Sequence, residues 1–365
     1  MAFDLQFASQ VLDSVVGGRS SVDIARLDVK DLEQAYEFSK TYGYDLNKPT
    51  DLDSVWELHK NSISLLRDRL LDPGEAIPDI LADSTKLKDP AYLLIFASTP
   101  EHKNNDMQLW SCAILRVMHV LAHIGDDLHL IFSDKIMQTV FGPFQAHIHN
   151  DPVSGITLGL KNDVEQIKLV RFDLKTTKSV ASSAIKLLTK KEATASSIYD
   201  KIGVRFVTKS IFDAFRVVRF LVDEHIISFP NIMPDQARNT LFPANLFLES
   251  MKELKEQKMF ATGEEIEAWL NKKLSDSVER AEYKERQNDF SGQNFRAIKF
   301  IARQMVEVEA GGKQFRFFCP YEVQVMDYET YLKNISGPEA HELYKRRQRQ
   351  AARRRVLGHL FPELA

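Results

Sequence analysis

The chain has 365 residues and a mass of 41.8 kDa, and 44% of its residues are hydrophobic and 27% charged. These proportions are those of a globular protein with one large domain or two ordinary ones, and they exclude a fibrous or low-complexity chain. The two cysteines, Cys112 and Cys319, are too few and too far apart for a disulfide framework or a cysteine-based zinc site.

The N-terminus and the hydropathy pattern predict a cytoplasmic protein with no membrane partner. Residues Met1–Leu12 include Asp4 and no basic residue, whereas a signal peptide begins with a positive charge. By inspection, no run in the sequence reaches the roughly eighteen uncharged apolar residues that a membrane helix requires.

Helical periodicity dominates the first 150 residues. Apolar residues at helical spacing predict helices over Asp31–Tyr42 and Asp53–Leu71, and Asp72-Pro73-Gly74 ends the second helix. A nearly all-apolar helix over Leu109–Ile124 is expected to be buried. A turn at Asn150-Asp151-Pro152 places a domain boundary near residue 150, so residues 1–150 are predicted to form a mostly helical region of unknown role.

After residue 150, strand patterns alternate with helical ones. Alternating apolar residues predict strands over Lys168–Leu174 and Asp200–Val207. Gly311-Gly312 is typical of a hairpin turn, here before a strand over Gln314–Met326. This order predicts an α+β fold with a mixed β-sheet flanked by helices. Further predicted helices cover Ser179–Leu188, Asp213–His225 and Glu339–Leu360, and a helical insertion at about 235–287 contains Asn245–Lys258 and Gly263–Gln287.

Two acidic residues occupy strand positions that disfavour charge. Asp200 opens a predicted strand, and Glu322 lies inside another, on the same face as Gln324. A buried carboxylate requires a metal or a cation as its partner, because burial alone is costly. Two carboxylates on neighbouring strands can share a Mg²⁺ ion with substrate phosphates. The alternatives are a structural lysine pair for Glu322 and a capping or turn role for Asp200.

Basic residues accompany these two acids in the sequence. Lysines and an arginine near predicted strand and helix ends, together with a metal-binding carboxylate pair, are the groups that phosphoryl transfer uses. On the helix, Lys178 and Lys186 could equally form a solvated face. The basic residues in question are Lys175, Lys178, Lys186, Lys190, Lys191, Arg205 and Lys299.

From about residue 175 to 345 the sequence resembles the synthetase domain of the RelA/SpoT-homologue alarmone synthetases, which have a nucleotidyltransferase-like fold. Five pieces occur in the family's order. Lys178, Ser182 and Lys186 have the spacing of its basic motif; Asp200–Arg205 resembles Asp-Leu-x-Gly-x-Arg; Gln293–Lys299 stands at the position of Asn-Gly-Tyr-x-Ser-Leu-His; Glu322–Val325 resembles Glu-x-Gln-Ile; and Ala340–Lys345 resembles Ala-x-His-x-x-Tyr-Lys.

The sequence departs from the family pattern at four positions. The two acids Asp200 and Glu322 are kept, so metal and triphosphate binding are better supported than guanine specificity. Arg171 or Lys175 are candidates to replace the missing arginine of the basic motif. The departures are Thr176 for that arginine, Phe295 for the tyrosine, Lys299 for the histidine and Met326 for a second arginine.

The resemblance implies a Mg²⁺-dependent pyrophosphokinase that moves pyrophosphate from ATP to the 3′-hydroxyl of a guanosine nucleotide or an RNA end. Asp200 and Glu322 would be catalytic and would hold Mg²⁺, with Glu322 as metal ligand or general base. The alternatives are a decayed nucleotide-binding sensor or interaction protein on the same fold, and transfer of a nucleoside monophosphate. The implied substrate-binding residues are Lys178, Ser182, Lys186, Arg205, Phe295, Lys299, Gln324 and His341. Residues 151–365 would form this domain.

The C-terminus is basic while the rest of the chain is acidic. Residues His341–Ala365 carry a net charge of +5, so the preceding 340 residues carry −8. The positive charge is concentrated in Lys345–Arg355. Three interpretations are open: a solvated helix end, an RNA partner, and an acidic protein surface that includes the acidic remainder of this chain.

Overall fold

Packing divides the chain into two compact units. The computed structural model describes residues 16–18, 20–99, 105–125, 131–152, 155–161, 166–176, 179–189, 199–257, 262–284, 296–336 and 341–364. The first unit comprises Met1–Asp127, Ser179–Ile198 and Lys345–Ala365, and the second comprises Leu128–Lys178 and Tyr199–Tyr344. Packing describes contacts and not independent folding, so the predicted domain boundary near residue 150 stays a prediction.

The helices include those predicted from the sequence and several that were not, among them Ser133–Gln145, which contains Pro143. In chain order they are α1 (Leu32–Tyr42), α2 (Pro49–Leu65), α3 (Asp79–Ala82), α4 (Ser84–Leu87), α5 (Tyr92–Ala97), α6 (Asn105–Gly125), α7 (Ser133–Gln145), α8 (Val180–Thr189), α9 (Ile211–Asp223), α10 (Ala244–Glu256), α11 (Gly263–Asp276), α12 (Tyr328–Ser336) and α13 (His341–Leu357).

Local signals explain where the first helices begin and end. Asp31 caps α1, because its carboxylate accepts a hydrogen bond from the backbone N–H of Gln34 at 2.9 Å. Helix α2 begins at Pro49, earlier than predicted, since proline is favoured in the first helical turn. A π-helical turn, Leu66–Leu70, continues α2 up to the predicted stop. Helix α11 ends at Asp276 rather than near residue 287.

Helix α6 is buried although it is long and apolar enough, over Asp106–Ile124, to cross a membrane by length and composition. The helix includes the charged residues Asp106 and Arg116, so it is not the uncharged apolar run that the sequence was expected to lack. Within the protein 72% of its apolar window is buried, which is what a core helix shows. Its charged Arg116 is partly satisfied there, because Nη1 and Nη2 donate to the carbonyls of Val356 and Ile24, both at 2.9 Å, whereas its buried Nε has no hydrogen-bond partner among the described residues. Cytoplasmic location stays a prediction.

The basic helix α13 turns several arginines toward acidic residues of its own unit. Arg353 is only 5% exposed, and it also donates to the carbonyl of Leu70 at 2.6 Å. This matches the third interpretation of the basic cluster for these arginines, and RNA binding by the cluster stays a prediction. The pairs are Arg349 with Asp72 at 2.7 Å, Arg353 with Glu75 at 2.6 Å and Arg355 with Asp23 at 2.6 Å.

The second unit is built on a seven-stranded mixed sheet, so the predicted α+β class is confirmed at this level. The strand order is β1-β2-β3-β4-β7-β6-β5, and β4 and β7 pair in parallel while the other neighbours are antiparallel. The strands are β1 (Ile148–Asp151), β2 (Gly155–Leu158), β3 (Ile167–Lys175), β4 (Gly203–Thr208), β5 (Arg238–Asn239), β6 (Ile298–Ala310) and β7 (Lys313–Asp327).

The hairpin β6–β7 carries much of the site described below. Gly311 and Gly312 form its turn with φ of 58° and 72°, a region that glycine adopts without strain. One face of the sheet is apolar and belongs to the core of this unit, where Phe206, Val323 and Val325 are fully buried. The opposite face is free to carry polar side chains.

Candidate functional site

Charged residues from four strands share one face of the sheet. Residues paired across strands face the same side, and so do residues two apart along a strand. One row of pairs is Asp173 (β3), Arg205 (β4), Gln324 (β7) and Lys299 (β6), and the next row is Lys175, Gly203, Glu322 and Ile301. We call the set Asp173, Lys175, Arg205, Lys299, Glu322 and Gln324 the polar face.

Glu322 lies at the centre of the polar face and is only 2% exposed. The ammonium group of Lys175 lies 2.7 Å from its Oε1 atom. The ammonium group of Lys299 is ion-paired with its Oε2 atom. Lys175 also donates to the amide oxygen of Gln324 at 3.0 Å. Both carboxylate oxygens therefore already hold a cation, which is the structural lysine pairing considered from the sequence.

These contacts set the charge states at the centre of the polar face. Burial raises the pKa of Glu322, but Lys299 and Lys175 lower it more, so its pKa lies well below the ordinary value. Burial lowers the pKa of Lys299, but Glu322 and Asp200 outweigh burial and raise it. Burial prevails at Lys175, whose pKa is lowered. Glu322 is consequently ionised at neutral pH, and a carboxylate of such low pKa is a weak general base.

A second set of ion pairs extends the polar face along β3. Arg205 donates through Nε to the amide oxygen of Gln324 at 3.2 Å, and its Nη1 lies 3.8 Å from Asp173. The Nε atom of Arg171 lies 2.7 Å from the same carboxylate, and its guanidinium stands 5.8 Å from the ring centroid of Tyr331. Positive and negative groups therefore alternate across the sheet.

Asp200 lies beside this cluster but not in a strand. Strand β4 begins only at Gly203, so the prediction that Asp200 opens the strand was wrong. Asp200 is nevertheless close enough to Glu322 and Lys299 to raise the pKa of both. The two predicted catalytic acids thus lie within electrostatic reach of each other, at the start of the parallel strand pair.

Gly203 permits the close approach of β4 to β7 at Glu322. A Cβ atom on Gly203 would lie 2.6 Å from the backbone oxygen and 3.0 Å from the Cβ atom of Glu322. We expect Gly203→Ala to lower the free energy of unfolding by about 1–3 kcal/mol, because these neighbouring atoms must move apart. Chemical denaturation would measure this loss. Gly263→Ala, where the added Cβ meets nothing within 4 Å, is the control, and an equal loss there would contradict the explanation.

The structure gathers only part of the predicted site. Asp200, Arg205, Lys299, Glu322 and Gln324 lie together in the second unit. Ser182 and Lys186 lie on α8, which packs in the first unit, so their substrate contacts stay predictions. Lys178 and Phe295 fall outside the described residues, and His341 is described only as the first residue of α13.

The residues do not fit a Mg²⁺ site as they stand. Mg²⁺ binds carboxylate oxygens with near-octahedral geometry, but lysine ammonium groups hold both oxygens of Glu322. In the described part of the chain, no group of three or more His, Cys, Asp or Glu could hold a metal ion. The predicted Mg²⁺ cofactor therefore supports no step of the chemistry below.

Two residues of this region were not among the candidates from the sequence, namely Asp173 and Tyr331. The signal for Asp173 was present, because Arg171-Phe172-Asp173-Leu174-Lys175 alternates with the period of a strand and so places three charged residues on one face. No sequence signal relates Tyr331 to Arg171, because the contact joins helix α12 to strand β3.

Comparisons with known proteins add little to this geometry. No protein-family model matches the chain, and no curated protein matches it. A solved structure to which the chain is similar is the small alarmone synthetase 1 from Bacillus subtilis, with 12% identity over 67% of this chain and 93% of that chain. The TM-score is 0.24, and a likeness of this size carries no argument about function.

Proposed function

We propose that this chain binds a nucleoside polyphosphate on the polar face and acts as a sensor of that nucleotide. The observation that carries the proposal is that Lys175 and Lys299 converge on Glu322 while Arg205 contacts the neighbouring Gln324. Their side chains are 28%, 31% and 28% exposed, so all three are accessible to a ligand. Guanidinium and ammonium groups are the usual protein partners of phosphate oxygens.

The charge balance of the polar face also favours an anion. With Arg171 and the neighbouring Asp200 included, four cations face the three carboxylates Asp173, Asp200 and Glu322. A polyphosphate brings several negative charges and many acceptor oxygens, so it can bind the cations from the open side of the sheet. The resemblance to alarmone synthetases makes a nucleoside polyphosphate, with ATP as its first candidate, the preferred anion.

The sensor is favoured over a synthetase because of the state of Glu322. To act as a general base, Glu322 would have to accept a proton from a hydroxyl while two ammonium groups stabilise its ionised form. Stabilising the ionised carboxylate weakens it as a base. We therefore propose the catalytically decayed nucleotide-binding sensor ahead of the synthetase.

A pyrophosphokinase is the second candidate function, and one observation favours it. Asp200 interacts electrostatically with Glu322 and Lys299, as the order of motifs implied. In this proposal the chain transfers pyrophosphate from ATP to the 3′-hydroxyl of a guanosine nucleotide or an RNA end. The acceptor 3′-oxygen would form a bond to the β-phosphorus of ATP, the bond from that phosphorus to the oxygen bridging to the α-phosphate would break with AMP as the leaving group, and the hydroxyl proton would pass to a base.

We expect ATP to bind the wild-type chain without transfer of its phosphates to an acceptor. The measurement is calorimetric titration with ATP, followed by product analysis with β- and γ-labelled ATP in the presence of GTP, GDP or bulk tRNA. Transfer of both labels to one acceptor, abolished by Glu322→Gln, would establish the pyrophosphokinase instead. Absence of binding to ATP, GTP and GDP would contradict both candidate functions.

A further inference from the structure

We infer that the ammonium groups of Lys175 and Lys299 take the position between Glu322 and the ligand phosphates that a divalent cation would occupy, so that the polyphosphate binds without metal. This inference rests on the proposed function, since it concerns how the same polar face holds its ligand. It starts from the finding that each oxygen of Glu322 is held by a different lysine.

The first step is the donor capacity of the two lysines. An ammonium group has three N–H donors and no acceptor. Lys175 donates to Oε1 of Glu322 and to the amide oxygen of Gln324, and Lys299 is ion-paired with Oε2 of Glu322. Each ammonium group can therefore contact Glu322 and a phosphate oxygen at the same time, which is the bridging role of a metal ion.

The second step is charge. Two ammonium groups carry together the same charge as one Mg²⁺ ion, and they are fixed on a carboxylate that is almost fully buried. A divalent ion that binds Glu322 would have to displace the ammonium group of one lysine from the carboxylate. The ion would still lie close to both ammonium groups, and their positive charges would repel it. Burial strengthens this repulsion, because screening by water is weak there.

The third step is the mode of anchoring. Lys175 belongs to β3 and Lys299 to β6, on opposite sides of the β4–β7 pair. Glu322 draws both side chains toward the middle of the polar face, so the carboxylate positions the cations and does not itself contact the phosphates. Glu322 is a positioning residue in this inference.

The test is calorimetric titration of the wild-type chain with ATP, once with excess Mg²⁺ and once with EDTA. We expect the two dissociation constants to agree within about threefold, well below the tenfold change that 1.4 kcal/mol of binding free energy produces. Binding with Mg²⁺ that weakens more than tenfold in EDTA would overturn this inference and leave the proposed function intact. Absence of binding to ATP, GTP and GDP in both conditions would instead contradict the proposed function.

Variants of Lys299 test the assignment residue by residue. Lys299→Met is expected to weaken ATP binding about tenfold or more in EDTA, because a charge-assisted hydrogen bond to phosphate is lost. Lys168→Met, at an exposed position of β3, is the matched control and should leave the dissociation constant unchanged. Equal weakening by both substitutions, or none by Lys299→Met, would overturn the inference.

A second variant covers the possibility that Lys299→Met does not fold. Lys299→His restores the residue that the related motif carries and removes a permanent cation while keeping a polar side chain. We expect its ATP binding to be weaker in EDTA and to recover with Mg²⁺, whereas the wild type shows no such recovery. If Mg²⁺ changes the ATP dissociation constant of the wild type and of the variant by the same factor, the bridging role of Lys299 is contradicted.

Discussion

Replacing Arg353 with leucine is expected to lower the free energy of unfolding by about 3–5 kcal/mol, because removal of one partner leaves a buried ion pair uncompensated. Arg353 is 5% exposed and donates at 2.6 Å both to Glu75 and to the carbonyl of Leu70. It thereby joins the basic helix α13 to the end of the π-helical turn that follows α2. Chemical denaturation followed by circular dichroism would measure the loss.

The control is Arg346→Leu, an exposed position on the same helix, which should change stability by no more than about 0.5 kcal/mol. A pH series tests the acidic partners of Arg353, which are Glu75 and, at 3.4 Å, Asp72. The hydrogen bond from Arg353 lowers the pKa of Glu75 below its ordinary 4.5. The contribution of the pair is thus complete above pH 4.5 and is lost as the pH falls through the lowered pKa. The free energies of unfolding of the wild type and of Arg353→Leu should converge in acid. A difference between them that stays constant with pH would exclude Glu75 as the partner.

The predicted role of the C-terminal basic cluster shows what charge patterns leave open. The excess of arginine in Lys345–Arg355 was visible in the sequence, together with the acidic character of the remaining chain. Which acids the arginines meet depends on packing between segments about 280 residues apart, as for Arg353 and Glu75. No local rule connects such segments, so the sequence left intramolecular pairing open beside RNA binding, which the few aromatic residues near the cluster made the less favoured interpretation.

Local patterns reached further in the hairpin β6–β7. A two-residue turn fixes the register of both strands. Counting outward from Gly311-Gly312 pairs Lys299 with Gln324, as the structure does, and places Lys299 on the side of Glu322. This half of the polar face was therefore predictable from the sequence. The short strands β1 and β2 and the two-residue strand β5 were not predictable, because they have too few residues to show the alternation of a strand.

The other half of the polar face depends on strand order. Lys175 reaches Glu322 only because β4 lies between β3 and β7, and because β4 carries a glycine at the crossing point. Strand order is a non-local property of the fold. The sequence therefore identified Lys175 and Glu322 as charged residues in or next to predicted strands without showing that their side chains contact each other. The choice between a metal and a cation as the partner of Glu322 needed this geometry.

Replacing Glu322 with glutamine is expected to lower the free energy of unfolding by about 3 kcal/mol, because two ammonium groups lose the carboxylate that holds them. The estimate is at the lower end for buried pairs, since Lys175 and Lys299 are about 30% exposed and can turn toward water. Glu307→Gln, in the exposed pair with Arg316 on the same hairpin, is the matched control and should cost at most about 1 kcal/mol.

Ligand binding should reverse much of this loss if Glu322 positions the lysines. A polyphosphate supplies the negative charge that the Glu322→Gln variant lacks, so saturating ATP should still raise the denaturation midpoint of the variant. A carboxylate that bound the ligand through a metal would produce the opposite result, because its removal would abolish ATP binding and with it any stabilisation. Whether ATP stabilises the variant at all, measured in EDTA and again with Mg²⁺, therefore decides which role Glu322 has.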